Sequence, residues 1–380
     1  MTKKQWPKVK LGEVCEINPR LRRALPDYSI VSFVPMSSVS EQGGLLQTEA
    51  RPFVDVKKGY SLFERDSVLV AKITPCFENM KTTIAAIDTA IGAGSTEFHV
   101  FEPQTKLLPS YLHSFLRQPC IFHEGTKCMT GSSGHRRVPE WFFRNLEIPL
   151  PPLEEQRRIA EMLDNSSKLL GDCHSQLQQL SALATHLYQT TSTTTVTDFS
   201  SLVTIRSGQV DPTEENWRYL PHIAPNNLRT GSDRLFNVRA VKEDGVTSGK
   251  YHVLKGDILY SKIRPYLNKT VISPSEALCS ADMYALIPTS KEWSYWVLYT
   301  LRSRAFLNYA EANSSRANIP KINREALTKF PFPIPSEQQL QIFNRTIARI
   351  QAQEKLLLKR EELLREMAAS LSTRAFTGEL

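Results

Sequence analysis

One stretch of this chain occurs twice, and that repetition narrows the possible folds more than any other feature. Arg65-Asp-Ser-Val68-Leu69-Val-Ala-Lys72-Ile73-Thr-Pro75 matches Lys255-Gly-Asp-Ile258-Leu259-Tyr-Ser-Lys262-Ile263-Arg-Pro265 at a constant offset of 190, over eleven positions without a gap. Other landmarks repeat around it. The apolar positions of Leu11-Gly-Glu-Val14-Cys-Glu-Ile17 return in Phe199-Ser-Ser-Leu202-Val-Thr-Ile205, and a Ser-Tyr pair opens an amphipathic run at Ser110-Tyr111 and again at Ser294-Tyr295. A polar, small-residue loop follows each, at Thr130-Gly-Ser-Ser-Gly-His-Arg-Arg137-Val-Pro139 and Asn313-Ser-Ser-Arg316-Ala-Asn-Ile-Pro320. A repeat of this length implies two copies of one globular unit, and 380 residues suffice for two such domains with cores of their own.

Each copy ends in a proline-rich run and a Glu-Gln pair, Ile148-Pro-Leu-Pro-Pro-Leu-Glu-Glu-Gln156 and Phe332-Pro-Ile-Pro-Ser-Glu-Gln338. Proline fixes φ and disfavours helix at the residue before it, so each run reads as an extended strap with a helix starting directly after. In the first helix Ile159, Leu163, Ser166, Leu170, Cys173, Leu177, Leu180, Ala184 and Leu187 keep a 4-3 spacing. At an offset of 184 the second helix has Phe343, Ile347, Ile350, Glu354, Leu357, Glu361, Leu364, Ala368 and Leu371. Apolar residues at that period make a coiled-coil seam, while Ser166, Glu354 and Glu361 interrupt it and bear on register and partner choice. The alternative is that each helix packs only on its own domain, which usually calls for a wider apolar face. Within each domain, β-rich runs at 67–73, 82–87 and 257–263 alternate with turn signals, and helices are expected near 111–117 and 295–308. The fold class is therefore α+β.

The net charge of +8 favours a polyanionic partner, with no basic tail in either half. Six cysteines without a C-x-x-C pair read as reduced thiols, and no apolar run suggests a secretory signal or a membrane span, so the expectation is a cytoplasmic protein. A chemical centre is not recognisable. There is no Asn-Pro-Pro-Tyr or Asp-Pro-Pro-Tyr of an amino-methyltransferase, and Asn18-Pro19 is followed by Arg20. Neither G-x-G-x-x-G after a strand nor G-x-x-x-x-G-K-[ST] occurs, and Gly92-Ala-Gly94-Ser95 reads as a turn. The histidines, among them His99, His113, His123 and His135, lack metal-ligand spacing, and Ser132, Ser133 and His135 in a glycine-rich loop do not amount to a nucleophile and base. No catalytic residue and no metal site is expected.

These features together resemble the specificity subunit of a Type I restriction-modification system, along essentially the whole chain. The junctions Pro151-Pro-Leu-Glu-Glu-Gln156-Arg-Arg-Ile-Ala160 and Pro333-Ile-Pro-Ser-Glu-Gln338-Gln-Leu-Gln-Ile342 and the final Arg374-Ala-Phe-Thr-Gly-Glu-Leu380 carry the likeness. The second junction departs from the first in having Ser336, and Gln-Leu-Gln in place of Arg-Arg-Ile. The resemblance implies two target-recognition domains, 1–152 and 191–335, alternating with helices 153–190 and 336–372 and followed by a tail, 373–380. It implies further that the helices pair as an antiparallel coiled coil in a pseudo-twofold repeat. Each domain would read half of a bipartite site on double-stranded DNA, with no catalysis in this chain. Two modification subunits would supply S-adenosylmethionine and adenine methylation, and two restriction subunits would join for cleavage. A coiled-coil scaffold or a DNA-binding adapter outside restriction-modification is the alternative, against which the basic repeated loops argue.

Helices of about 37 residues span roughly 55 Å, which places half-site centres on the order of 10–15 base pairs apart. Arg, Lys, Asn and Gln read base edges while phosphate contacts position the protein. Candidates for DNA contact in the first domain are Lys72, His135, Arg136 and Arg137, with Arg20, Arg22 and Arg23 as a basic cluster. In the second they are Lys262, Arg264, Arg316, Asn318, Lys321 and Arg324.

Overall fold

The computed structural model describes residues 6–22, 24–132, 134–191, 195–231, 234–314 and 319–380. It divides into a first unit, Met1–Ser175 with Lys359–Leu380, and a second, Gln176–Leu358. Both have one topology. The first contains a ribbon of Lys8–Lys10 with Glu147–Pro149 and two four-stranded sheets, ordered Cys15–Ile17, Phe98–Pro103, Val68–Ala71, Thr82–Ile84 and Glu49–Pro52, Ile30–Val34, Ile91–Gly94, Ser61–Glu64. The second repeats every strand in the same order, including the single parallel pairing in the second sheet, Ile30–Val34 with Ile91–Gly94 in one unit and Pro221–Ile223 with Ala277–Cys279 in the other.

The eleven-position sequence match has at its centre the strands Val68–Ala71 and Ile258–Ser261, and its apolar letters have a simple cause. Alternate side chains of a strand point to opposite faces, and here both faces are covered. Val68 and Val70 enter the core beneath the helices, whereas Leu69 enters the core between the sheets. Ile258 and Tyr260 divide from Leu259 in the same way. Burial of each such side chain contributes about 1.5–3 kcal/mol.

The segment Gly92-Ala-Gly94, expected to be a turn, is a buried strand. A Cβ at Gly92 would lie 2.3 Å from the Phe63 ring, so glycine is there to let an aromatic side chain cross the strand. The helical run expected near 295–308 is two helices, Trp293–Arg302 and Arg304–Ala312. They are parted at Ser303, whose extended backbone and side-chain hydroxyl cap the second of them.

The straps are extended, and each is fixed by an aromatic donor. Tyr111 Oη donates to the Pro149 carbonyl at 2.9 Å in the first unit, and Trp296 Nε1 donates to the Pro333 carbonyl at 2.8 Å in the second. Prolines are tolerated because each strap belongs to a two-stranded ribbon with a free edge. Past the strap the two copies diverge. Gln156 is completely buried, accepts from Leu108 N and donates from Nε2 to the Lys106 and Pro151 carbonyls, each at 2.9 Å. The shared Glu-Gln letters are not structurally equivalent, because the helices align at an offset of 184, which sets Leu340 rather than Gln338 in the place of Gln156. Leu340 is buried in the second core, and the second helix opens instead on a reciprocal cap, Ser336 N to Gln339 Oε1 at 2.8 Å and Gln339 N to Ser336 Oγ at 3.3 Å. Replacing Gln156 with alanine strands a buried N–H and two carbonyls, so a loss of about 2 kcal/mol is expected in urea unfolding of the intact chain. The corresponding Leu340→Gln change tests the asymmetry, since it should destabilise rather than restore a fastening.

The long helices run Leu153–Thr190 and Glu337–Thr377. The second continues five residues past the expected end at 372. Its last turn is held because Ala375 and Phe376 are buried in the first unit's core, where Phe376 meets Tyr111 and Phe115 at 5.4 Å each, and it stops at Gly378 in the left-handed conformation. Burial follows the 4-3 seam. In the first unit Ile159, Ser166 and Cys173 are buried and Leu163, Leu170, Glu361, Leu364, Ala368 and Leu371 half-buried, while the outward residues 167–169 are exposed. In the second unit Leu177, Ala184, Phe343, Ile347 and Ile350 are buried and Leu180, Leu187, Glu354 and Leu357 half-buried. The pairing is antiparallel, since the start of the first helix shares a unit with the end of the second, and the end of the first with the start of the second. Packing on the domains accompanies the pairing: Tyr188 lies against Trp296 at 4.7 Å and Phe343 at 6.3 Å. Among the interruptions, Glu361 pairs with Arg365 at 2.6 Å, and the Ser166 hydroxyl is buried with no hydrogen-bond partner among the described residues.

Candidate nucleic-acid interface

In each unit the Lys-Ile-x-Pro turn and the polar loop, far apart in sequence, are joined by backbone pairing. Lys72 leaves its strand with its N–H on the Glu97 carbonyl at 2.8 Å, and its own carbonyl accepts Val138 N at 2.9 Å. Ile73 bridges to Arg137, and Thr74 N donates to the Arg136 carbonyl at 3.0 Å. The second unit repeats this bond for bond. Lys262 N reaches the Asp282 carbonyl at 3.1 Å, Ile322 N reaches the Lys262 carbonyl at 3.0 Å, Ile263 bridges to Lys321, and Arg264 N donates to the Pro320 carbonyl at 2.8 Å. The loop of the first unit closes on itself through Thr130 and Arg137, with Gly131 at φ +120°, where a Cβ would lie 2.8 Å from the His135 carbonyl.

A side chain from the adjoining strand fixes each loop from below. His99 Nε2 lies 2.9 Å from the Val138 carbonyl, and its Nδ1 is 3.0 Å from Asn18 Nδ2, so the ring carries its proton on Nε2 and accepts at Nδ1. Burial lowers the His99 pKa, which disfavours the charged ring. Tyr284 takes the same place in the second unit, with its hydroxyl on the Ile322 carbonyl at 3.2 Å.

Each cluster pairs a cation with an acid. Arg137 grips Glu97 with two hydrogen bonds, Nε at 2.9 Å and Nη2 at 2.6 Å, which hold the carboxyl below its ordinary range. Lys321 stands 3.4 Å from Asp282. Lys72 is half-buried beside the first pair, and Lys262 lies 5.4 Å from the Tyr284 ring with its pKa lowered chiefly by burial.

The expected contact residues thus divide. Lys72, Arg137, Lys262 and Lys321 gather at the two turn-loop junctions, and His135 and Arg264 are exposed at their edges. Arg136 is committed to the fold, because its Nη2 donates to the Thr126 and Met129 carbonyls at 3.1 and 3.3 Å at the end of the helix Pro119–Lys127. Arg324 opens the helix Arg324–Thr328 and donates to the Ile205 carbonyl at 3.3 Å. Arg20 is exposed, and Arg22 forms an ion pair with Glu16. Arg23, Arg316 and Asn318 lie outside the described residues. Sequence reasoning missed Glu97, Asp282, His99, Tyr284 and Asn18. The only signal for them was that Glu97 and Asp282 precede matching strands at an offset of 185.

Among the described residues no group of three or more His, Cys, Asp or Glu is gathered as a metal would need, and no helix is long and apolar enough to cross a membrane.

Residues 3–180 and 194–359 match the family described as the Type I restriction modification DNA specificity domain. The chain is 38% identical over 185 residues to the Type I restriction enzyme EcoAI specificity subunit of Escherichia coli, a match covering 45% of this chain and 31% of that protein. Its similarity to the EcoDI specificity subunit of the same organism is 26% over 280 residues, covering 62% of this chain and 63% of that one. A solved Type I restriction-modification S subunit from M. genitalium shares the fold at a TM-score of 0.58 and 12% identity, over 98% of this chain and 96% of that one.

Proposed function

Because the chain belongs to the family of Type I restriction modification DNA specificity domains, we propose that it is the DNA-reading, non-catalytic subunit of such a system and that each unit reads one half of a bipartite site. The observation that carries this reading is the duplicated junction of basic turn and basic loop, built by the same backbone bonds in both units. Two junctions with the same backbone bonds, each bearing Lys or Arg side chains, suit two stretches of one polyanion, and protein–DNA recognition divides into phosphate contacts that position and base contacts that specify.

Partner modification subunits carry S-adenosylmethionine and transfer methyl groups to adenine, docking on the long helices, and restriction subunits add cleavage. Helices of 38 and 41 residues rise by about 57 and 62 Å, which sets half-site centres on the order of 10–15 base pairs apart. The test is to map methylated adenines in DNA from cells carrying this chain with its modification partner. Two short specified blocks separated by a fixed unread gap are expected. Methylation at a single continuous motif, or at none, would sink the reading.

A further inference from the structure

The two turns that open the junctions are alike at both ends and different at the tip. Each closes on a lysine: Ala71 N donates to the Lys81 carbonyl and Ser261 N to the Lys269 carbonyl, at 2.9 and 3.0 Å. Both closing lysines are structural, with Lys81 Nζ on the Met36 carbonyl at 3.2 Å and Lys269 Nζ on the Pro225 carbonyl at 2.7 Å.

The first turn folds inward. It sinks Phe77 completely into the core against Phe122 and Phe143, and its exposed residues are Pro75, Glu78 and Asn79, the last bonded to Glu41. An acidic, hydrogen-bonded tip is a poor surface for DNA. The second turn is reversed in character. Pro265 is the buried anchor, Tyr266 has 50% of its surface exposed, and Arg264 is exposed two residues before it.

That arrangement is held rigidly. Arg264 and Asn268 both adopt the left-handed conformation, at φ +47° and +48°, on either side of the short helical turn Pro265–Leu267. Non-glycine residues rarely adopt this conformation, and it persists only where the surroundings over-determine it. Here they do: Arg264 N is bonded to Pro320, Leu267 N to Arg264, Asn268 N to Pro265, and the Asn268 carbonyl accepts Gly231 N at 3.2 Å. The Tyr266 side chain makes no hydrogen bond or ring contact among the described residues, so the fold gains little from it. A pre-set aromatic ring on a surface bearing Lys262, Arg264 and Lys321 suits apolar contact with a base, while the guanidinium fork of Arg264 matches the O6 and N7 acceptors of guanine.

We propose that the turn 262–268 enters a groove of the duplex and that Tyr266, together with Arg264, determines the base preference of the half-site read by the second unit. This rests on the function proposed above and adds to it the residues that choose bases in that half.

The test uses the full chain bound to its modification partner, selecting from duplexes randomised in both halves and measuring Kd on the preferred site. Tyr266→Ala and Arg264→Gln are each expected to weaken binding on the order of 10-fold. Each should also flatten the preference at one to three neighbouring base pairs, all within one half. Tyr266→Phe, which keeps the ring, should preserve the preference. If Tyr266→Ala leaves the preference in both halves intact, or weakens all sequences equally, the turn touches no base and the proposal is wrong. A wild-type complex without any bipartite preference would instead overturn the functional reading beneath it.

Discussion

Replacing Trp296 with alanine should destabilise the second unit by about 3–5 kcal/mol, the largest loss expected from any single substitution considered above. The indole is 1% exposed and joins three parts of that unit at once. It packs against Tyr188 on the first long helix and, in a T-shaped arrangement at 5.1 Å, against Phe343 on the second, and its N–H holds the strap through Pro333. Trp296→Phe separates these contributions, because the ring contacts largely remain while the Pro333 carbonyl loses its donor, for about 1–2 kcal/mol. Urea unfolding followed by circular dichroism measures both. A loss below 1 kcal/mol for the alanine variant would mean that the strap and helices are held elsewhere.

The second large effect concerns DNA. Neutralising Lys72 and Arg137 together, each to glutamine, is expected to weaken binding on the order of 100-fold at low salt and to reduce the salt slope by about two phosphate equivalents. Arg136 is left out of this pair because its guanidinium ties off a helix end, so its loss would disturb the loop as well as the charge. Arg137→Gln also leaves Glu97 ionised and unpaired on the same surface, and Glu97→Gln alone is the control for that repulsion. Kd titrations over a range of potassium chloride concentrations decide the matter. An unchanged slope together with an unchanged Kd would take the first unit's junction out of contact with phosphate.

Much of the architecture could be read from the letters because its causes are local and periodic. The strand Val68–Ala71 and its copy Ile258–Ser261 are buried at every position and largely apolar because both faces are covered, and the helix seam shows because burial recurs at a fixed interval along one rod. What stayed hidden depended on distant partners. Gly92 and Gly94 looked like a turn until distant neighbours explained the missing side chains, the Phe63 ring for Gly92 and the Val34 carbonyl for Gly94. Gln156 and Gln338 looked equivalent because they share a Glu-Gln pair, yet only one of them sits at the buried register position. At the candidate interface, Lys72, Arg137, Lys262 and Lys321 could be chosen from the repeat itself. The acids that pair with Arg137 and Lys321 could not, since the pairing is made by strand register across forty residues or so. Tyr266 escaped for the opposite reason: its copy in the first unit is Cys76, so the repeat gave no hint of it.

The first unit is built from two separated pieces of chain, with the second unit inserted between them. As the polypeptide emerges from the ribosome, the second unit can finish as one continuous segment, whereas the socket formed by Tyr111 and Phe115 stays open until Phe376 has been made. A nascent chain cut short before that phenylalanine would carry an unplugged apolar hole, which gives cellular quality control a physical mark by which to tell truncated copies from those able to fold.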